Sequence, residues 1–302
     1  MQVLDRAIVK ALPVVPRRVV QLVSAPYIAG SSLDDARRTV ARLNAEGKLA
    51  TVDVLGEEVR SPAEAEAIAA AYHAALDAIA ADRLDANVSV KLTALGLEID
   101  PDLCRSLLSA VVADAAARGR FVRIDMEDSS CTDATLRLYR ELREAGRDNV
   151  GIVLQACLRR TLDDVAALAD LRPSVRLCKG IYVESEEIAY RGADEIRESF
   201  LRVLDAVLEV GSYVALATQD EWLIRRSLER VVDLPRTAYE LQFLLGVREA
   251  RASELVAAGH RLRIYVPYGD RWYEYSTRRL QENPAIAWTI AKATLGRLVP
   301  GR

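Results

Sequence analysis

The chain has 302 residues, 41 basic against 44 acidic for a formal charge of −3, and 51% of its residues are hydrophobic. That is apolar material for one large domain or two ordinary ones, and it excludes a disordered chain. The near-balanced charge argues against nucleic acid as a partner, and two histidines with four cysteines but no C-x-x-C argue against a zinc ribbon or a disulfide framework.

Asp5, Arg6 and Lys10 interrupt any secretory apolar region at the start, and no run approaches the roughly 18 apolar residues of a membrane span. SLDDARRTVARLNAEG (32–47) has helical spacing and precedes the first apolar run. The spacing then predicts eight strands: 50–56, 87–95, 120–127, 150–158, 174–183, 212–218, 237–246 and 262–269. Between them lie amphipathic stretches with helix-start signals at Ser61-Pro62, Asp100-Pro101, Thr132, Thr161, Ser185 and Asp220. Gly119, Gly146 and Gly211 stand where helices stop. Strand-helix alternation implies parallel strands joined by crossover helices, and eight units predict a closed (βα)8 barrel. An open doubly wound sheet usually carries a phosphate loop, and neither G-x-G-x-x-G nor G-x-x-x-x-G-K-[ST] occurs. We expect a single barrel domain over 1–302, with N-terminal helices to about residue 48 and a helical segment at 284–302. The spacing of Ile286, Ile290 and Leu295 in that segment fits capping of the barrel or contact with a membrane surface, and capping is the simpler reading.

In such a barrel the carboxyl ends of the strands face the active-site mouth. Those ends read Asp53 and Glu57, Lys91 and Thr93, Asp125 and Glu127, Gln155, Arg176 with Lys179 and Tyr182, Thr218 and Gln219, Glu240 with Gln242, and Tyr265 with Tyr268. Loops are polar anyway, so one such residue means little; the set means more. Only five of the 41 basic residues are lysines, and two of them, Lys91 and Lys179, lie inside apolar runs. Lys91 reads as a structural ion pair with Asp125 one strand over, as a cation for an anionic substrate, or as a Schiff-base amine. The stretch 270–283 sets Tyr275, Arg278, Arg279 and Glu282 on one helical face. Adjacent arginines can fork onto a carboxylate, so this eighth helix is expected above the barrel mouth rather than packed on its side. Two chemistries stay open at this point: a Schiff-base lyase on Lys91 or Lys179, and a cofactor enzyme.

YIAG (27–30), VKLTALG (90–96), RIDMED (123–128), RLCKGIYVE (176–184), LAT (216–218), ELQFLLG (240–246) and YVPYG with YSTRRLQE (265–282) together resemble the proline dehydrogenase family, in the same order along the chain. The resemblance implies a distorted (βα)8 barrel, noncovalent FAD on the strand ends, and oxidation of L-proline to Δ1-pyrroline-5-carboxylate, with electrons passing to a quinone. It also implies a cytoplasmic protein, peripheral on the inner face of the membrane where that quinone resides. Carried over by motif, Asp125 and Arg176 are catalytic. Lys91, Arg278 and Arg279 hold the substrate carboxylate, and Tyr265, Tyr275, Leu244 and Ile181 line the ring pocket. Met126, Gln155, Arg176, Lys179, Gly180, Ile181, Tyr182, Thr218, Gln219, Gln242 and Glu282 sit near the flavin. This chain departs from the family pattern at Gln219, where histidine is usual, at Ile181, where alanine is usual, and at Pro26, where arginine is usual.

Overall fold

The computed structural model describes residues 25–56, 59–273 and 276. Eight strands are present, each parallel to the next: β1 (Leu49–Val54), β2 (Ala86–Val90), β3 (Val122–Ile124), β4 (Val150–Gln155), β5 (Val175–Cys178), β6 (Val214–Ala217), β7 (Tyr239–Leu244) and β8 (Leu262–Tyr268). They follow one another around a closed barrel, and β8 returns to pair with β1 from Leu49↔Arg263 to Val54↔Tyr268. Closure leaves no edge strand and buries both faces, which is why the strands read as Val-, Ile- and Leu-rich runs.

Eight α-helices are described: α1 (Leu33–Ala45), α2 (Pro62–Ala81), α3 (Pro101–Ala117), α4 (Ser129–Glu144), α5 (Thr161–Ala167), α6 (Ala193–Glu209), α7 (Glu221–Arg230) and α8 (Glu249–Ala257). Their starts follow local chemistry. Ser61 and Asp100 accept backbone N–H bonds at the N-caps of α2 and α3, each followed by proline at the first helical position. Two expected starts differ. Helix α4 begins at Ser129, earlier than Thr132, because Asp128 caps it by accepting from the Ser130 N–H. Helix α6 begins at Ala193 rather than near Ser185, because residues 185–191 fold back on the β4–α5 turn through an antiparallel bridge of Leu158 with Ala189.

Helix α1 precedes the barrel yet packs against both β8 and β1, burying Ala36, Val40 and Leu43 in that seam. A regular barrel would cover this seam with the helix that follows its last strand. The seat on the wall is therefore taken by α1. The later segment, 277–302, lies outside the described residues.

Candidate active site

The strand ends surround a cavity of about 830 Å³. The ladders stop earlier than the apolar runs: β2 ends at Val90, one residue before Lys91, and β5 ends at Cys178 before Lys179. Residues read as the last strand positions are thus the first turns of loops that bend over the mouth. The described residues expected from the family motifs line this one cavity: Lys91, Asp125, Met126, Gln155, Arg176, Lys179, Gly180, Ile181, Tyr182, Thr218, Gln219, Gln242, Leu244 and Tyr265; Asp53, Thr93, Glu127, Glu240 and Tyr268, also expected at the strand ends, are not among its lining. Tyr275, Arg278, Arg279 and Glu282, like Glu57, lie outside the described residues.

The inner end of the cavity is an ionic cluster. Lys91 Nζ lies 3.0 Å from Asp53 Oδ2 and 3.4 Å from Asp125 Oδ2. It also donates to the Tyr265 hydroxyl at 3.1 Å, and that hydroxyl donates to Asp125 at 2.9 Å. Asp125 accepts further bonds from Ser89 Oγ and Arg176 Nη1, each at 2.6 Å. Burial alone would raise the Asp125 carboxyl, but Arg176, Lys91 and the two hydroxyls outweigh it and hold it below the ordinary carboxylate range. Burial alone would likewise lower Lys91, and Asp53, Tyr265 and Asp125 raise it well above the ordinary lysine value instead. Lys91 is therefore an ammonium. A Schiff-base nucleophile needs a neutral amine, so the geometry speaks against that use of Lys91.

Sequence reading paired Lys91 with Asp125; the nearer partner is Asp53 on β1, which is fully buried. The signal was present in TVDV, an acid flanked by valines. Tyr72 of α2 also reaches Asp53, at 3.3 Å, and burial followed by the Asp53 charge pushes its phenol well up. Tyr27 and Cys178 line the cavity as well and were not singled out. Tyr27 arrives on a strap fixed to β8, where Ala29 N–H donates to Pro267 O at 2.9 Å and Gly269 N–H to Gly30 O at 3.0 Å.

Arg176 is 5% exposed. Its Nη1 is used by Asp125 and Ser89, while Nε and Nη2 are sealed from solvent and have no partner among the described residues, a state shared by the Nε atoms of Arg120, Arg123 and Arg143. Beside it, Gly180 has φ +95°, and a Cβ there would fall 2.2 Å from Cys157 Sγ, so only glycine lets the chain turn past the cavity wall. Toward the outside, Asp220 caps α7 and pairs with Arg197 Nε at 2.9 Å and Lys179 Nζ at 3.5 Å, with Gln219 adjacent. The arrangement is a charged inner end of paired cations and anions, and an outer end where Lys179 and Arg197 converge on Asp220.

Comparison with known proteins gives this geometry a family. Residues 36–292 match the sequence profile of proline dehydrogenase. The chain is 38% identical over 274 residues to proline dehydrogenase 1 of Bacillus subtilis subsp. natto, covering 89% of each. It is 35% identical over 276 residues to proline dehydrogenase of Deinococcus radiodurans, again covering 89% of each. Among solved structures, proline utilization A from Bdellovibrio bacteriovorus, inactivated by N-propargylglycine, superposes with a TM-score of 0.80 at 26% identity. The match covers 86% of this chain but only 32% of that longer one. With the profile spanning most of the barrel and relatives alike over nearly their whole length, the chain belongs to the proline dehydrogenase family of oxidoreductases.

Proposed function

We propose that the protein oxidises L-proline to Δ1-pyrroline-5-carboxylate with FAD as its cofactor, and that a quinone takes up the electrons. The observation that carries this reading is the buried Lys91–Asp53–Asp125–Arg176 cluster at the inner end of the strand-end cavity, in a chain of this family. The residues fit a flavin: Gln155 and Gln242 border the cavity with amide groups for a heteroaromatic ring edge, and Lys179 and Arg197 suit an anionic tail. When bound, FAD supplies the acceptor for the hydride leaving proline C5. Lys91 attracts the substrate carboxylate, joined by Arg278 and Arg279 as the motif implies. Asp125, held ionised by Arg176 and Lys91, is a weak base; its work is to orient Lys91, Arg176 and Tyr265. The amine proton then leaves through solvent or a ligand group rather than onto Asp125. For the quinone, the same reading implies a cytoplasmic protein that meets the inner membrane face from outside the bilayer; no described helix is long and apolar enough to cross a membrane.

An absorption spectrum tests the reading. The purified protein should be yellow, and its flavin bands should bleach when L-proline is added without oxygen. A colourless protein that is trapped on a lysine by borohydride with a carbonyl substrate would replace it with the lyase.

Substrate choice gives a second expected result. The Tyr265 ring stands over Lys91 and Arg176, at 5.8 and 5.5 Å from its centroid, with its hydroxyl fully engaged. A 4-hydroxyl on the substrate meets this ring and finds no free partner on it, a loss of roughly 1–3 kcal/mol. Proline should therefore be preferred to trans-4-hydroxyproline in kcat/KM, and Tyr265→Ser should narrow the gap. Equal efficiency of the wild type with both substrates would contradict it.

A further inference from the structure

Two glutamines line the cavity from neighbouring parts of the barrel, and each has its amide turned by an acceptor-only partner. Gln242 of β7 donates its Nε2 to Glu240 Oε1 at 2.5 Å. Gln155 of β4 donates its Nε2 to the Glu127 carbonyl at 2.8 Å. A carboxylate and a carbonyl cannot donate, so the amide nitrogen must face them and the amide oxygen must face away. Neither oxygen receives a hydrogen bond from the protein among the described residues, and both side chains border the cavity.

The lock on Gln242 is the stronger one. Glu240 is 2% exposed and is gripped by Arg263 through Nε at 2.7 Å and Nη2 at 3.0 Å. Arg263 is itself tied by Nη1 to the Ala50 carbonyl at 2.7 Å, across the β8–β1 seam. Its register partner on β7 is Gln242, so the pair sits directly beneath that amide. Arg263 keeps Glu240 ionised, down to about 2, although burial alone would raise it. A permanently ionised Glu240 never offers a proton to Gln242, so the amide has one orientation at any working pH.

We propose that the Arg263–Glu240 pair is a positioning device that fixes Gln242 as a hydrogen-bond acceptor, and that this acceptor recognises a ring imide N–H on the bound cofactor. The cavity otherwise offers donors, on Lys179 and Arg197. A ligand made only of acceptors would satisfy these and leave the Gln242 oxygen facing another oxygen. A ring edge that alternates carbonyl and N–H satisfies both, and the pyrimidine-dione edge of an isoalloxazine has that alternation. The inference rests on the flavin reading given above, and goes beyond it by assigning roles to two residues too deep to touch the ligand.

Flavin binding to the flavin-free full-length protein tests it, with FAD and N3-methyl-FAD as the probes and fluorescence quenching as the readout. The methyl group removes only the imide N–H. Wild type should bind N3-methyl-FAD at least roughly tenfold more weakly than FAD, the worth of one hydrogen bond with a buried acceptor left unpaired. Gln242→Met should weaken FAD and abolish the discrimination. Glu240→Gln frees the amide to rotate and should shrink the discrimination while FAD still binds; a purely structural loss would weaken both flavins equally. If Glu240→Gln does not fold, Gln242→Met and the wild-type comparison decide alone. Equal affinity of the wild type for the two flavins overturns the assignment. So does discrimination that survives in Gln242→Met but is lost in Gln155→Met. Failure of FAD itself to bind overturns the flavin reading and this inference with it, whereas tight binding of both flavins overturns this inference only.

Discussion

Lys91→Met should lower kcat/KM for L-proline by roughly a hundred- to a thousandfold, the scale of removing one partner from a buried, hydrogen-bonded charge cluster. The wild-type cluster pairs Lys91 and Arg176 with Asp53 and Asp125, two cations against two anions. Without Lys91 an anionic substrate carboxylate meets a net negative site, and Asp53 and Asp125 are left close together. Two buried carboxylates then face one another with one cation fewer, and like-charge repulsion with burial favours a proton on the pair. An acid raised in the fold gives its stability below the unfolded value and loses it as pH rises toward the folded one. The stability deficit of the variant should therefore be small near pH 4 and full by pH 8. Adding Asp53→Asn to Lys91→Met should recover much of that deficit without recovering activity. Urea midpoints at the two pH values check the first part, and steady-state rates the second. A Lys91→Met variant with wild-type efficiency would remove Lys91 from the substrate site.

Acid should remove about 3 kcal/mol of stability through Glu240 alone. Its carboxyl lies at about 2, because Arg263, by charge and hydrogen bonds, overcomes the raising effect of burial. A depressed carboxyl contributes stability above its unfolded pKa of about 4.3 and loses it as pH falls through the folded value, so the window runs from about 4.3 down to 2. At neutral pH, Glu240→Gln leaves Arg263 buried without its counter-charge and should cost roughly 3–5 kcal/mol. Glu240→Leu combined with Arg263→Met removes both charges and should cost less than either single change. Denaturation midpoints for the three variants test this. A double variant less stable than both singles would mean the pair is a net contributor in its own right.

Much of the barrel was legible because each strand is an apolar run short enough to exclude a helix, and several crossovers begin with a capping residue, as at Ser61, Asp100, Asp128 and Asp220. The ends were less legible. VKLTALG and RLCKGIYV stay apolar after the ladder has stopped: Leu92, Ala94 and Leu95 are still covered beyond β2, whereas Ile181 and Val183 beyond β5 stand exposed. The helix start expected at Ser185 failed because ESEE has the charge of a first turn, while the backbone of Ala189 is already bridged to Leu158. Site residues were legible where a polar side chain interrupts an apolar run, as with Lys91, Asp125 and Arg176. Their pairings were not. Asp53 reaches Lys91 from β1, and Glu240 meets Arg263 between β7 and β8, through the interior of a closed barrel whose register no local pattern specifies.

The seam between β8 and β1 sets an order of events during synthesis. Helix α1 precedes every strand of the barrel, yet half of its seat is β8, more than two hundred residues later in the chain. Until Leu262–Tyr268 emerges, Ala36, Val40 and Leu43 have only β1 to lie against, and the barrel has two open edges ready to pair with a neighbouring nascent chain. Closure of the sheet and docking of helix α1 thus complete together, as the final and most non-local step of folding.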